Sequence, residues 1–446
     1  MLCLAVMLSV MVVGAGAAFS DQDKIENTEA VDACSALNII NGYEDGAFHP
    51  ERNIKRAEVT KMICVALNGG EEPNTSTNAK PTFTDVRGTI YAWAEGYIEA
   101  CVAQGIVDGV GGNRFAPASN VTGAQLAKML LVSLGYNATT EKFTGNAWET
   151  NVNVRASQKH LYDGLEKMDT SAPVTRDQAA QMVWNAMQAY VVEYKDGVLQ
   201  DKVVGSNNDK ITLLRDRYDA WIYVGTLTSV DSTNITISMS KADQNASDPQ
   251  YTTTTGGSTS VTVDFSKLKA DYSSMLGQKV KVLFKDGKTN NVIGVYATSD
   301  NTVYTVNANE VEKDGQKVKF NGKSYSLKDN KINAYVTTFD GNTTAAASWT
   351  SADFNDLDRS ASIMKFVDSD SDGKLDAVIV TEYTAAKVTY ASSTQIVAGG
   401  ETYKFADENI QEGIAKDDWA VISYDRYGDC QSIVKADLIK DKLSAT

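Results

Sequence analysis

The sequence predicts a multidomain chain, α-helical in its first half and all-β in its second. Three observations point there. A helix, glycine-rich loop, helix pattern occurs three times before residue 195. Near Gly197 the apolar residues change from helical stripes to strand-like alternation. The first eighteen residues resemble neither half.

At 446 residues the chain exceeds one ordinary core, and 43% hydrophobic with 22% charged residues is the balance of a folded protein. Fifty-seven acidic against 42 basic side chains give a net charge of -15. That excludes general nucleic-acid binding, which needs a cationic face, and favours divalent cations as partners. Two histidines, His49 and His160, leave little for histidine-based catalysis or zinc.

Residues 1–18 carry no charge and run through an apolar core to Gly14-Ala15-Gly16-Ala17-Ala18. The segment is read as a signal peptide, too short for a membrane span, although the usual basic start is missing. No other stretch is apolar enough to span, so no membrane partner is expected after cleavage. Cys34, Cys64, Cys101 and Cys430 remain, spaced as no CxxC pair. The first three sit among apolar residues at helical positions and read as small buried hydrophobes, not a disulfide scaffold.

The repeats set the register. Phe48 to Phe115, Pro50 to Pro117 and Ile54 to Val121 share an offset of 67, and Val121 to Val174 adds 53. After each motif an apolar stripe follows at helical spacing. Val59, Met62, Ile63, Ala66 and Leu67 form the first, beginning a turn after Arg56. Leu126 to Leu134 and Ala179 to Met187 repeat it. Ala30–Leu37 and Trp93–Val102 supply an upstream helix. Thr122-x-x-Gln125 and Thr175-x-x-Gln178 are capping boxes, weakened in the first unit by Lys55. Capping does not explain Arg56 and Arg176. A cation in a first helical turn opposes the macrodipole, so these arginines point to an external anion.

Ile54-Lys-Arg-Ala-Glu58, Gly42-Tyr-Glu-Asp-Gly46-Ala-Phe48 and Phe83-Thr-Asp85-Val86 with Trp93-Ala94 resemble the signature, loop and opening of S-layer homology (SLH) repeats. The likeness covers roughly residues 19–195. It implies a pseudo-threefold trimer of repeats within one chain, gripping secondary cell-wall polysaccharide, usually pyruvylated, on peptidoglycan. Carried over to this sequence, Arg56 and Arg176 become carboxylate contacts and Gly42, Asp45 and Gly46 a sugar-contacting loop. Trp93 becomes a stacking residue, with core packing its plainer reading. An anion near a helix N-terminus suits the dipole. Asp85 is expected to cap a helix or bond its own repeat's backbone. The second repeat has Gly123 where arginine is expected. Its pocket should therefore be weakened or lost, and Gly123→Arg should strengthen binding.

The resulting domains are a signal peptide (1–18), repeats at 19–70, 80–137 and 138–195 (the last degenerate), and β-rich modules at 200–300 and 301–446, sandwiches or small barrels. Hairpins are legible at 280–284 with 291–296, and at 419–424 with 432–434. Asp314-Gly315 and Asn321-Gly322 mark turns, and 247–260 a loop. Between Ile363–Val367 and Ala377–Val380 lies Asp368-Ser-Asp370-Ser-Asp372-Gly373-Lys374-Leu-Asp376. Its acids at positions 1, 3, 5 and 9, with the Lys374 carbonyl, match the oxygen-ligand spacing of a structural Ca²⁺ loop; Ile379 at position 12 rules out an EF-hand. A solvated hairpin is the plain alternative.

No nucleophile elbow, phosphate loop or zinc-protease motif is present. The expectation is a non-enzymatic, secreted wall-anchored S-layer or envelope protein capable of self-assembly. The alternative is an SLH-anchored enzyme or carbohydrate-binding protein with its activity in residues 200–446.

Overall fold

The computed structural model describes residues 19–73, 80–246, 259–268, 272–337, 347–355, 362–382, 384–406, 410–424 and 430–435. Residues 1–18, read above as a signal peptide, nearly all of the 247–260 run and the turn after Tyr424 lie outside them. Among the described residues no helix is long and apolar enough to cross a membrane.

Six helices build the first part: α1 (Thr28–Ala36), α2 (Arg56–Leu67), α3 (Glu95–Ala103), α4 (Gly123–Ser133), α5 (Trp148–Gln158) and α6 (Arg176–Gln188). The predicted stripes are buried. Val59, Met62, Ile63 and Ala66 face inward on α2, Leu126, Met129 and Leu130 on α4, and Ala179, Met182, Val183 and Met187 on α6. Thr122 and Thr175 each accept from the amide three residues on, while Gln125 and Gln178 return the bond. In α2 only Glu58 completes this arrangement, accepting from the Lys55 amide at 2.8 Å.

Helices pair across repeats: α3 packs on α2, α5 on α4, and α1 returns to α6. The segments before α2, α4 and α6 meet in a ring of backbone bridges, Asn53 with Thr175, Lys55 with Asn120 and Thr122 with Pro173. At its centre Ile54, Val121 and Val174 are fully buried. The first amides of each helix are taken in the same cyclic order. Arg56 and Ala57 donate to Ser119 and Pro117, Gly123 and Ala124 to Ala172 and Thr170, and Arg176 and Asp177 to Arg52 and Pro50. Asp177, buried at the start of α6, is held by the backbone and side chain of Asn27. The chain's start and the third helix pair thus close one core.

That core continues into the following segment. Val192 donates to the Leu134 carbonyl at 2.8 Å. A side chain at Gly135 would stand 2.1 Å from the Val192 oxygen, so glycine alone fits there, at φ +104°. Helix α7 (Leu213–Tyr218) follows, and the Tyr218 hydroxyl donates to the Leu37 carbonyl at 3.3 Å.

The rest is mostly β. One antiparallel five-stranded sheet orders Thr259–Asp264, Asn234–Met239, Ala220–Val230, Lys279–Lys285 and Val292–Ala297. A second orders Thr302–Asn307, Ser362–Asp368, Ala377–Glu382, Ile332–Thr337 and Ala347–Trp349, with one parallel pair between Ile332–Thr337 and Ala377–Glu382. A three-stranded meander turns at Asp314-Gly315 and Asn321-Gly322, as expected from those dipeptides. Thr384–Ala391 and Trp419–Tyr424 belong to a third five-stranded sheet with a core of its own, around Val388, Ile396, Ile422 and Ile433. Both hairpins read from the sequence form.

Candidate functional site

The opening aspartates organise the loops. Asp85 accepts from the Phe115 and Ala116 amides at 2.8 and 2.9 Å, and Asp21 from those of Phe48 and His49 at 2.7 and 2.8 Å. The expected bond to the repeat's own backbone is what the structure shows. Burial opposes ionisation of Asp85, yet the two amides and Arg114 hold its carboxyl below the usual range.

The loop glycines serve the same end. Added side-chain carbons at Gly42 and Gly109 would meet the rings of Phe19 and Phe83 at 3.1 and 2.7 Å. Gly46 takes φ +76°, and Asp45, exposed, bonds the Ala47 amide at 3.0 Å and His49 at 2.8 Å. Gly42, Asp45 and Gly46 therefore shape the turn.

The arginines cross from one repeat to another. Arg176, 7% exposed, donates from Nε to the Phe48 carbonyl at 2.9 Å and from its terminal nitrogen to Asn41 at 3.3 Å. Its guanidinium lies 4.6 Å from the Tyr43 ring centre and 4.8 Å from Phe48. Arg52 faces the same Tyr43 ring at 4.9 Å. Glu58 accepts from both the Tyr43 hydroxyl, at 3.0 Å, and Arg52, at 3.1 Å. The first repeat's loop, with the third repeat's arginine, is thus a cradle of two guanidiniums, one phenol and one carboxylate.

Arg56 holds the second repeat's loop in the same way. It donates to Phe115 at 3.1 Å and Asp108 at 2.6 Å, with its guanidinium 4.6 Å from the Phe115 ring. The second repeat's loop therefore keeps an arginine, supplied by the first repeat and not from the position of Gly123. The position of Gly123 faces the third repeat instead. An added carbon there would lie 2.9 Å from Cα of Thr170, so an arginine would collide with backbone. The structure thus leaves no room for the side chain on which the expected gain from Gly123→Arg depends.

Burial depresses the proton affinity of both guanidiniums, yet neither pairs with a carboxylate among the described residues. Carbonyl dipoles and ring faces offset part of the desolvation cost, roughly 0.5–2 kcal/mol per ring contact. The helix N-termini are not open to an anion as expected, since neighbouring carbonyls take their first amides.

Trp93 is not core. It is 47% exposed, edge-to-face with Tyr97 at 6.3 Å, beside Ile90 at 84% exposed. Sequence reasoning missed Tyr43, Phe48 and Arg52 as partners of Arg176. The offset of 67 carried a signal: it puts Val110 and Ser119 where Tyr43 and Arg52 stand, marking the first loop as the richer one.

In the acidic hairpin Asp368, Asp370 and Asp376 bring carboxylate oxygens within 4.8 Å of one another. Lys328 Nζ sits 2.6 Å from Asp370 and 2.9 Å from Asp376. Asp368, 4% exposed, accepts from the Gly373 amide at 2.8 Å. Asp372 and the Lys374 side chain stand apart from that cluster, paired with each other at 3.0 Å.

The family model of the S-layer homology domain matches residues 18–60 and 82–127. A cell surface protein of Thermoanaerobacter kivui is 24% identical over 90% of this chain and 51% of its own length. A middle cell wall protein of Brevibacillus brevis is 26% identical over 37% of this chain and 15% of its own. A cellulosome-anchoring protein of Acetivibrio thermocellus is 30% identical over 24% and 23%. An exoglucanase of Acetivibrio thermocellus, XynX, is 24% identical over 36% and 15%. The chain spans about half the length of the first relative and smaller shares of the others. With its motifs in order and its loops seated on them, the chain carries S-layer homology domains at residues 18–60 and 82–127.

Proposed function

We propose that this secreted, cell-wall-associated protein is held to pyruvylated secondary wall polysaccharide by its helical part, as a binding protein without turnover. The ring of backbone bonds around Ile54, Val121 and Val174 supports a pseudo-threefold trimer of repeats, the third lacking an arginine-loaded loop. The observation that carries the reading is Arg176, buried against Tyr43 and Phe48 with no carboxylate partner among the described residues and with Arg52 beside it. A ketal-linked pyruvate is a carboxylate on a sugar, and planar guanidiniums with an aromatic face suit it. The Arg56 loop is a second, poorer cradle.

The β region projects from the wall in a structural S-layer or envelope role, with self-assembly through its sheets. Likeness to a cell surface protein over most of the chain supports this. The alternative, an anchored enzyme or carbohydrate-binding protein with its activity in residues 200–446, draws on the partial likeness to an exoglucanase. Hydrolysis of wall or plant glycans by the full chain would favour it.

For the acidic hairpin the proposal remains a structural Ca²⁺, which would compete with Lys328. Thermal midpoints that rise with added calcium would support the ion; midpoints that stay fixed would leave Lys328 as the only counter-charge.

The anchoring test is co-sedimentation of the full chain with sacculi before and after extraction of their polysaccharide. Pelleting only before extraction is expected. Equal pelleting with both, or with neither, would overturn the reading.

A further inference from the structure

Cys64 and Cys101 sit on different helices of the α2–α3 pair, and the repeats show how they come together. Cys34, Cys101 and Ala156 are equivalent, each accepting the amide five residues on, from Ile39, Ile106 and Leu161. Cys34 Sγ contacts the Ala180 carbonyl at 3.9 Å, and Cys101 Sγ the Thr60 carbonyl at 3.8 Å. Ala180 and Thr60 occupy the same position, the fifth of α6 and of α2. One turn further, α6 presents Trp184 and α2 presents Cys64. The place that holds an indole in the first interface holds a second thiol in the other. Both are free thiols and buried, at 3% and 0% exposed, and Cys64 stands one turn along α2 from the Thr60 carbonyl that Cys101 Sγ touches.

We propose that Cys64 and Cys101 form a disulfide once the chain is outside the membrane, stapling the first repeat to the second behind the Arg56 loop. Location argues for it, because extracytoplasmic compartments let such bonds form and persist. The environment argues for it too. The neighbouring Cys101 holds the Cys64 thiol below its ordinary range, while the same neighbour and burial push Cys101 up. Because both thiols are closed off in the folded protein, oxidation belongs to the stage at which α2 and α3 dock. The Cys64 thiolate attacks the disulfide of a small-molecule or protein oxidant, forming a mixed disulfide and releasing one thiol. Cys101, deprotonated, then attacks the Cys64 sulfur and expels the second thiol. Two protein thiols are oxidised, one oxidant disulfide is reduced, and its two sulfurs take the two protons. Cys34 touches the Ala180 carbonyl on α6, where the residue one turn on is Trp184 and not a cysteine, and Cys430 lies in the last sheet.

The test is peptide mapping of the full chain, refolded in the presence of oxidised glutathione and alkylated under denaturing conditions. A reducible cross-link between the Cys64 and Cys101 peptides is expected, with Cys34 and Cys430 alkylated. Reductant should lower the melting temperature of the wild type by several degrees and leave Cys101→Ala unmoved. Alkylation of both Cys64 and Cys101 after glutathione, or a cross-link involving Cys34, would overturn the proposal. An equal response of wild type and Cys101→Ala to reductant would also overturn it.

Discussion

The helical part and the last sheet solve the same problem in opposite ways. In the helical part each unit is completed by another: α1 closes on α6, each helix start bonds a neighbour's loop, and Arg56 and Arg176 each sit on a loop from a different repeat. The sheet holding Thr384–Ala391 and Trp419–Tyr424 keeps a core to itself. Damage should therefore spread through the first and stay local in the second. The same interdependence places the proposed binding chemistry at repeat boundaries, where a single unit's sequence does not reveal it.

The largest expected effect comes from the ring centre. Val174→Asp buries an unpaired carboxylate where all three repeats meet, and should abolish the cooperative unfolding transition of the helical part. Ile422→Asp should unfold its own sheet and leave that transition in place. Differential scanning calorimetry of both variants checks this. Loss of the helical transition in Ile422→Asp would erase the contrast.

Gly123→Arg comes next. Overpacking against the Thr170 backbone should cost about 1–3 kcal/mol by denaturant unfolding and bring no gain in wall binding. Tighter binding at unchanged stability would show that the third loop can move aside.

A smaller effect tests where the two parts meet. Helix α1 packs against strand Val292–Ala297, and burial holds the Asp32 carboxyl up to about 6, against an ordinary 3.8, despite its bond from Gln22. Below 3.8 the folded and unfolded chains both hold the proton. Between the two values the unfolded chain ionises first, so stability falls as pH rises, and above about 6 the cost is complete. Asp32→Asn should therefore stabilise the protein at pH 7, by about 1–2 kcal/mol, and have little effect near pH 3.5. A gain independent of pH would mean that burial is not the cause.

Much of the architecture was legible because its signals are local. Helical stripes, capping boxes and Asp-Gly turns are dictated by neighbours a few residues apart, and they appear where the sequence puts them. The arginines were legible as anomalies, since capping could not account for a cation at a helix start. Their seats were not, because Arg176 and Phe48 lie 128 positions apart. Trp93 misled in the plain reading because the chain departs from the α-helix there into a 3-10 turn that turns the indole outward. The acidic hairpin was legible as a cluster, but Lys328, its counter-charge, comes from 42 positions away.

The most direct measurement is the affinity of the full chain for purified wall polysaccharide, compared among wild type, Arg56→Ala, Arg176→Ala and the double variant. Each should first be shown folded by calorimetry. The account predicts at least tenfold weakening from Arg176→Ala, about 1.4 kcal/mol, with a smaller loss from Arg56→Ala and the greatest loss in the double variant. Folded variants that bind as tightly as wild type would contradict it, leaving the two arginines as braces of the fold alone.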